Sequence, residues 1–330
     1  MKLATLKNQT LDGCLVVVSR DLSSAVRVDD IAPSLLAAVQ DWARCRPLLQ
    51  VVYDHLNAGE LADAFFFDSR TAAAPLPRAP QWCDASAFLN HARLMEKAFN
   101  TAPIPDVETV PLMYQGASDD FLGPHDDIIL PDEAHGIDFE GEFGVIVDGV
   151  PMSCSAEAAL QHVALLVQLN DVSLRTLGPR EMRTGFGFLQ AKPSTAFASV
   201  AITPDELGDA WSEGRVKLAL HIQSNDEWFG HPSGAEMNFG FGRLIEHAAL
   251  TRKLTPGTVI GSGTISNADR KVGSACIAER RAIEHIELGA PETPFMRFGD
   301  RVRMTATALD GSAPFGIIEQ TVVQAPKIST

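Results

Sequence analysis

Short apolar runs bounded by glycine, proline and polar residues recur along this chain. Residues 15–18 form one such run, which predicts a β-strand. Apolar side chains then recur at helical spacing over residues 33–43 and again over residues 47–58, where Gly59 ends the pattern. The first 75 residues are therefore predicted to form a small β/helical domain.

An alanine- and proline-rich stretch at residues 71–80 is the best candidate for a linker, although a loop inside one continuous domain fits it equally. We place the boundary at residue 75, so that residues 76–330 form the second domain. Its apolar runs are short, as in strands. Helical patterns interrupt these runs at residues 88–98, 151–161 and 243–250. The predicted fold class is α+β, mainly β, with helices covering part of a sheet.

Three acidic side chains alternate with apolar ones where one of these strands begins. Because successive side chains of a strand point to opposite faces, Asp138, Glu140 and Glu142 are predicted to share one face, and Phe139 and Phe143 the other. At an effective dielectric of about 20, like charges about 6 Å apart repel by roughly 3 kcal/mol. Such a face needs solvent, protons or a cation. An exposed acidic strand face without a ligand fits the local pattern equally well.

A second polar cluster follows the apolar run at residues 163–169. Asn170 and Asp171 end this predicted strand, where a turn or a cap is the ordinary role of such a pair. If Asp171 joins Glu140 and Glu142, the three carboxylates form an oxygen-only ligand set. That set suits Mg²⁺, Ca²⁺ or Mn²⁺ better than Zn²⁺.

Charge and composition exclude several classes of function. Acidic residues outnumber basic ones by 42 to 27, and the net charge of −15 disfavours nucleic acid and anionic membranes as partners. No apolar run approaches the roughly 20 residues that span a bilayer. The five cysteines lack Cys-x-x-Cys spacing, so we expect a reducing, cytoplasmic location and no disulfide framework. The motifs of serine hydrolases, zinc peptidases and nucleotide enzymes are absent from the sequence.

Taken together, the segments resemble the fumarylacetoacetate hydrolase family. The matching pieces are the Glu-x-Glu strand at 140–142, the Asn-Asp-x-Ser-x-Arg segment at 170–175, Lys192 after a glycine- and phenylalanine-rich loop, the Gly-Ser-Gly-Thr-Ile-Ser run at 261–266, and Phe-Gly-Asp at 298–300. The match covers roughly residues 84–322. The resemblance implies that family's mixed β-sheet roll for the second domain, and it implies a homodimer.

The resemblance also implies a divalent metal centre. Its ligands would be Glu140, Glu142 and Asp171, with Asp84 as a fourth ligand in the bacterial fumarylacetoacetase branch, which the chain resembles most. Mg²⁺ or Ca²⁺ is the expected metal, and Mn²⁺ is an alternative. In that branch a histidine seven residues after the aspartate activates water. His91 takes this place, and Glu279 would orient its imidazole.

Further positions match residues that contact the substrate in that family. Lys192 would donate to an oxyanion, although alone it would be an ordinary solvated lysine. Tyr114, Arg175 and Thr264 match substrate-binding positions, and Tyr114 also fits a packing role in the core.

Some positions depart from the branch. Ser86 stands where a substrate-binding tyrosine is common, and Asn100 where a carboxylate-binding arginine is expected; Arg93 is a weak substitute for that arginine. The threonine usually found four residues after the family lysine is absent, and Ser194 or Thr195 is its candidate replacement. These departures concern the far end of the substrate rather than the metal centre.

The resemblance implies hydrolysis of a carbon–carbon bond in a 1,3-diketo acid, with fumarylacetoacetate giving fumarate and acetoacetate in the catabolism of tyrosine and phenylalanine. An acylpyruvate hydrolase, a 2-keto-4-pentenoate hydratase and an oxaloacetate decarboxylase of the same fold are alternatives. The set of Asp84, His91 and Glu279 favours a hydrolase. The same residues, together with Lys192, disfavour a protein that binds cations without catalysis.

Overall fold

The computed structural model describes residues 1–100, 102 and 104–326. Its helices are α1 (Leu35–Gln40), α2 (Trp42–Ala58), α3 (Leu89–Phe99), α4 (Ala156–Ala159), α5 (Gly178–Thr184), α6 (Phe241–Ala248) and α7 (Ile277–Leu288). The first ten strands are β1 (Lys2–Leu6), β2 (Cys14–Val18), β3 (Ser24–Arg27), β4 (Phe65–Phe66), β5 (Trp82–Ala85), β6 (Met113–Gly116), β7 (Ile128–Leu130), β8 (Ile137–Asp138), β9 (Gly141–Val147) and β10 (Val163–Asn170). The others are β11 (Ser173–Leu174), β12 (Ala196–Phe197), β13 (Ala201–Ile202), β14 (Trp211–Ser212), β15 (Arg215–Val216), β16 (Ala219–Ser224), β17 (Glu227–Gly230), β18 (Val259–Gly261), β19 (Arg301–Thr307) and β20 (Ile318–Gln324).

The described strands form one large mixed sheet, a smaller five-stranded one and two strand pairs, β11-β8 and β14-β15. The large sheet runs β4-β3-β2-β1-β13-β10-β9-β18-β5-β6, with β12 added beside β10, and the smaller one runs β17-β16-β19-β20-β7. Most neighbours are antiparallel, whereas β18 pairs in parallel with β5 and β20 with β7. This architecture confirms the predicted fold class, which is α+β and mainly β. Since β1 pairs with β13, the large sheet continues across residue 75, and the division into two domains stays a prediction.

Both faces of β2 are buried, which explains its continuous apolar run. Along β2, Leu15 and Val17 pack in one core with Leu49 and Tyr53 of α2. The alternate residues of β2 face the second core. The N-terminal helices therefore cover one side of a sheet that has apolar packing on its other side as well.

The helix boundaries differ in part from those predicted. The break between the first two helices falls at Asp41, where the backbone leaves the helical region, and α2 accommodates Pro47 inside it. Gly59 ends α2 with a left-handed backbone (φ 73°), as expected from a glycine at that position. The helix predicted at 151–161 is shorter in the structure. The Ser155 hydroxyl accepts the amide of Ala158 and caps the helix, so that α4 begins only at Ala156. None of the helices within the described ranges is long and apolar enough to cross a membrane.

The order of strands brings the predicted site residues to one region. β5, β18, β9 and β10 are consecutive neighbours in the large sheet, and β6 lies beyond β5. The register places Asp84 opposite Tyr114 on β6 and Gly261 on β18, and Glu142 opposite Leu169 on β10. Residues that are far apart in the sequence therefore lie opposite one another on adjacent strands of the large sheet.

Candidate metal centre and active site

Three buried carboxylates meet at the centre of the large sheet. Asp84 on β5, Glu142 on β9 and Asp171, just after β10, each offer an oxygen within 4.8 Å of the others. Burial, followed by the charge of Asp171, raises the pKa of Asp84 to about 8. Burial and the neighbouring Asp84 carboxylate raise the pKa of Glu142 well above its ordinary value. The trio is therefore unfavourable as bare anions and calls for protons or a cation.

The two carboxylate oxygens of Glu142 are suited to binding a cation. Both are buried and have no hydrogen-bond partner among the described residues. Buried polar atoms are almost always partnered, so an unpartnered carboxylate needs a ligand of another kind. Clustered carboxylate oxygens match the preference of hard divalent cations such as Mg²⁺, Mn²⁺ and Ca²⁺. The trio of Asp84, Glu142 and Asp171 thus fits a divalent metal on its own chemistry.

Asp171 is held by three side-chain donors. Lys192 Nζ at 2.5 Å and the hydroxyl of Tyr114 at 2.7 Å donate to Oδ2, and the hydroxyl of Thr195 donates to Oδ1 at 2.7 Å. The structure thus brings together three of the predicted site residues, Tyr114, Asp171 and Lys192. Of the two candidates for the missing family threonine, it places Thr195 against the acid.

Glu140, predicted as another metal ligand, lies beside the trio with both oxygens in use. Oε1 accepts from Ser173 at 2.6 Å and from Lys192 at 3.0 Å, and it pairs with Arg175 at 2.7 Å. Oε2 accepts from Thr264 at 2.6 Å. Although burial opposes it, the cations of Lys192 and Arg175 hold the pKa of Glu140 well below its ordinary value. Arg175 and Thr264, predicted to contact substrate, therefore contact this acid in the structure.

Asp138, predicted to share a face with Glu140 and Glu142, contacts Arg175 as Glu140 does, but it does not belong to the trio. β8 ends at Asp138 and β9 begins only at Gly141, so the strand is not continuous through these acids. Asp138 accepts from Arg175 at 2.8 Å and from the backbone amides of Ile277 and Ala278 at 2.7 and 2.9 Å. An acid at this place stabilises the beginning of α7.

A histidine and a glutamate pair across two helices. His91 on α3 and Glu279 on α7 place Nδ1 and Oε2 at 2.8 Å. Glu279 is buried, whereas the His91 side chain is 17% exposed. Because a carboxylate only accepts hydrogen bonds, Nδ1 of His91 is the donor in this contact, and in a neutral ring Nε2 is then the acceptor. This geometry suits an imidazole that takes a proton at Nε2.

The loop at residues 261–266 connects this pair with the acids. The amide of Gly263 donates to Asp84 at 3.1 Å, and the hydroxyl of Ser266 accepts from Asn90, the neighbour of His91. A β-bridge between Glu140 and Cys276 ties the residue before α7 to the acidic segment. The loop and the bridge fix both parts of the candidate site to one frame.

Two motif residues that were assigned no role in the site from the sequence support the acidic segment. Ser173 donates to Glu140, and its spacing of two residues from Asp171 within the motif was a usable signal. The side chain of Asn170 accepts the amide of Glu140 at 3.1 Å and donates to Gln320 at 3.0 Å. The second contact carried no local signal, since Gln320 lies 150 residues away.

Two of the positions that depart from the family pattern, Arg93 and Asn100, make no contact with these acids. Arg93 pairs with Glu108 at 2.7 Å, and both side chains are exposed. Asn100 caps α3 with a left-handed backbone (φ 50°). The substitute arginine considered for the substrate's far end is therefore engaged elsewhere on the surface.

Family models match nearly the whole chain. The one described as fumarylacetoacetate (FAA) hydrolase C-terminal matches residues 81–323, and the one described as fumarylacetoacetase N-terminal domain 2 matches residues 1–78. The chain belongs to the fumarylacetoacetate hydrolase family. Membership, predicted from the sequence, is thereby confirmed.

Curated relatives within the fumarylacetoacetate hydrolase family have several activities. A 2,4-didehydro-3-deoxy-L-rhamnonate hydrolase of Sphingomonas sp. (strain SKA58) is 30% identical over 165 residues, which are 49% of this chain and 54% of the relative. The mitochondrial oxaloacetate tautomerase FAHD2A of Homo sapiens is 25% identical over 198 residues, 59% and 58% of the two chains. The chain thus spans little more than half the length of these relatives.

Solved structures of the same family show the same fold over nearly the whole chain. Maleylpyruvate hydrolase from Sphingobium sp. SYK-6, in complex with manganese(II) and pyruvate, has a TM-score of 0.65 at 16% identity, covering 99% of this chain and 100% of its own. The 2-hydroxyhepta-2,4-diene-1,7-dioate isomerase from Mycobacterium marinum has a TM-score of 0.59 at 17% identity, with the same coverage. Members of the family are enzymes acting on keto acids, and the relatives do not select one substrate or the fumarylacetoacetase branch.

Proposed function

We propose that this chain is a divalent-metal-dependent hydrolase that cleaves a carbon–carbon bond in a diketo acid. The pair of His91 and Glu279 is the observation that carries the proposal, because attack by water requires a positioned base. The buried trio of carboxylates supplies the second requirement, a site for a cation. The loop at residues 261–266 contacts both.

The proposed metal site consists of Asp84, Glu142 and Asp171, with Glu140 as the adjacent acid predicted to join them. A divalent cation bound there would polarise the substrate's carbonyl oxygens and stabilise the enolate released on cleavage. Support comes from the unpartnered oxygens of Glu142 and from the manganese bound in the maleylpyruvate hydrolase structure. Mg²⁺, Ca²⁺ and Mn²⁺ all suit these ligands.

The protein's own side chains accept the proton from water and stabilise the negative charge that develops on the substrate. His91 accepts a proton from water at Nε2, while Glu279 holds the ring and stabilises the imidazolium. Lys192 stays a cation, since the carboxylates of Asp171 and Glu140 raise its pKa although burial opposes this. Its ammonium is the proposed donor to the oxyanion that forms at the attacked carbonyl.

Fumarylacetoacetate, cleaved to fumarate and acetoacetate, is the first substrate that we propose. A neutral acylpyruvate is the second candidate, favoured by one observation: Arg93, considered as the partner of a distal carboxylate, pairs with Glu108 instead. The homodimer implied by the family resemblance is part of the same proposal, and light scattering of the purified protein tests it.

Turnover of a small substrate panel tests the proposal. The purified protein, loaded with Mg²⁺ or Mn²⁺, is given fumarylacetoacetate, a neutral acylpyruvate and oxaloacetate, and both cleavage products and keto–enol exchange are followed. Cleavage of either diketo acid, lost in Glu142→Ala, supports the hydrolase. Rapid tautomerisation of oxaloacetate without cleavage of any diketo acid would instead show a tautomerase, as in the human relative, and would overturn the proposal.

A further inference from the structure

A buried glutamate on α5 accepts three consecutive backbone amides. Glu181 Oε2 accepts from Leu189 at 3.1 Å and from Ala191 at 3.0 Å, and Oε1 accepts from Gln190 at 2.8 Å. The next residue along the chain is Lys192. Hydrogen bonds to an ionised acceptor are roughly twice as strong as those between neutral groups, so this carboxylate is the dominant local anchor of the segment.

Much of the segment between α5 and Lys192 is exposed, whereas Ala191 at its end is buried. Gly185 and Gly187 have left-handed backbones (φ 75° and 90°), and between them Phe186 is 96% exposed. Leu189 is also exposed. One further tie exists at the end of the segment, where the carbonyl of Ala191 accepts the amide of Leu174. Apart from that tie, the anchoring described for residues 189–191 comes from Glu181.

The anchored backbone leads into the centre of the site. Lys192 reaches both Asp171 and Glu140, and its ammonium lies 5.6 Å from the centre of the Tyr114 ring. Phe188, within the same segment, packs edge-to-face on Tyr114 at 4.9 Å. A small displacement of residues 189–191 therefore moves the lysine and the aromatic wall together. Positioning errors of about 1 Å are enough to lower rates by orders of magnitude.

We propose that Glu181 is a positioning residue that fixes residues 189–191 and thereby holds the ammonium of Lys192 against Asp171 and Glu140. The inference rests on the proposed function, which assigns Lys192 its role at the oxyanion. Although burial opposes it, the amides of Gln190, Ala191 and Leu189 hold the pKa of Glu181 below its ordinary value, so the anchor is ionised at neutral pH.

Glu181→Gln removes the charge and replaces one acceptor oxygen by a donor that faces backbone N–H groups. We expect kcat to fall about 10- to 100-fold, with KM and metal affinity changed less than about twofold, since the step that depends on Lys192 is the one disturbed. Glu284→Gln is a matched control: Glu284 accepts the amides of Glu292 and Thr293 at 2.7 and 2.9 Å in a loop that leads to no proposed site residue. Its kcat should change less than about twofold.

A double-mutant cycle separates positioning from general stability. If Glu181 acts through Lys192, then Glu181→Gln has no further effect on kcat in a Lys192→Ala background. An equal loss in both backgrounds overturns the proposal and leaves Glu181 a structural residue. If Glu181→Gln does not fold, Glu181→Asp, which keeps the charge on a shorter side chain, is tested with the same outcomes.

Hydrogen exchange tests the anchor without any activity assay. In Glu181→Gln the amides of residues 189–191 should exchange faster, while in Glu284→Gln only those of residues 292–293 should do so. Unchanged exchange at 189–191 overturns the inference even in an active enzyme. Faster exchange at 189–191 in a protein that cleaves no diketo acid shows that the anchor exists and that the proposed function is what fails.

Discussion

The imidazole Nδ1 of His91 lies 2.8 Å from Oε2 of Glu279, although 188 residues separate the two in the sequence. They meet because α3 packs against α7, whose N-terminus is fixed by Asp138 and by the Cys276 thiol, which accepts the amide of Glu279 at 3.3 Å. The buried carboxylate orients the ring. The partly exposed imidazole can therefore present Nε2 to a water beside the substrate.

Replacing His91 by alanine should lower kcat about 100- to 10,000-fold, the usual contribution of a positioned general base. KM and the affinity for Mn²⁺ should change little, because no proposed metal ligand is altered. Steady-state kinetics with equilibrium metal binding measures both. His162 offers a matched control, since its Nδ1 lies at the same 2.8 Å from Asp148, outside the proposed site; His162→Ala should keep kcat within about twofold.

Glu279→Gln should lower kcat less than His91→Ala does, because the imidazole stays while its orientation and the stabilisation of its cation are weakened. A rise in KM alone in His91→Ala, with unchanged kcat, would make His91 a binding residue and refute the water-activation scheme.

Glu142→Gln should uncouple thermal stability from divalent cations. In the wild-type protein a cation at 100 times its dissociation constant stabilises the fold by about 2.7 kcal/mol, and chelation removes this gain. The variant lacks a charge in the buried trio, so its metal-free form should melt above the metal-free wild type while Mn²⁺ no longer raises its melting temperature. Melting curves with chelator and with Mn²⁺, together with measured metal content, provide the test.

Glu284→Gln is the control for the metal experiment, because it removes a carboxylate from α7 without altering the trio. Full turnover by wild-type protein that is verified to be free of metal would sink the metal-dependent mechanism.

The sequence predicted the site where motif and strand periodicity agreed. Asp84, Glu142 and Asp171 each stand at a motif position, and they meet because β10 pairs with β9 and only β18 separates β9 from β5. Alternation did not show that the strand is interrupted at residue 139, between Asp138 and the bridge residue Glu140. A strand break depends on contacts with α7, more than 130 residues away.

Contacts between distant side chains were the least predictable part of the site. Arg175 and Thr264 were assigned to substrate, yet each contacts Glu140, because the sequence does not show which acid a cation or hydroxyl meets. Nothing in the sequence indicated a role for Glu181, because one glutamate in a short helix is ordinary. Its role depends on the chain folding back, so that the amides of residues 189–191 donate to its carboxylate. The break between α1 and α2 at Asp41 was likewise hidden by the continuous helical spacing.

Arg93→Ala should leave kcat/KM for fumarylacetoacetate within about twofold, since Arg93 is engaged with Glu108 on the surface. If no other cation contacts the distal carboxylate of fumarylacetoacetate, a charge-assisted contact worth roughly 1.5 to 3 kcal/mol is missing. The value of kcat/KM for fumarylacetoacetate should then be about one to two decades lower than the value for a neutral acylpyruvate. Kinetics of both substrates at matched Mn²⁺ measures the ratio. A tenfold loss for fumarylacetoacetate alone in Arg93→Ala would place Arg93 at the substrate and remove the argument for a neutral acyl group.

The ion pair between Asp12 and Arg78 should make a small, pH-dependent contribution to stability. Arg78 Nε lies 2.8 Å from Asp12 Oδ1, and a second guanidinium nitrogen lies 2.8 Å from Oδ2. The pair ties the N-terminal hairpin to the end of the first family match, at residue 78. Hydrogen bonding from Arg78 is the main cause that lowers the pKa of Asp12 below its ordinary value of 3.8. A carboxylate with a depressed folded-state pKa stabilises the fold above the unfolded pKa, and that stability is lost as the pH falls through the folded value.

Asp12→Asn should therefore lower the melting temperature at pH 7 by about 1 to 3 °C, corresponding to no more than about 1 kcal/mol because the pair is partly solvated and screened. The difference from wild type should stay constant between about pH 7 and 5, shrink below about pH 4, and weaken in 1 M salt. Asp68→Asn is the control, since Asp68 pairs with Arg70 only two residues away and joins no distant segments. A difference for Asp12→Asn that persists unchanged at pH 3.5 means that packing or shape, and not the charge of Asp12, holds the hairpin to Arg78.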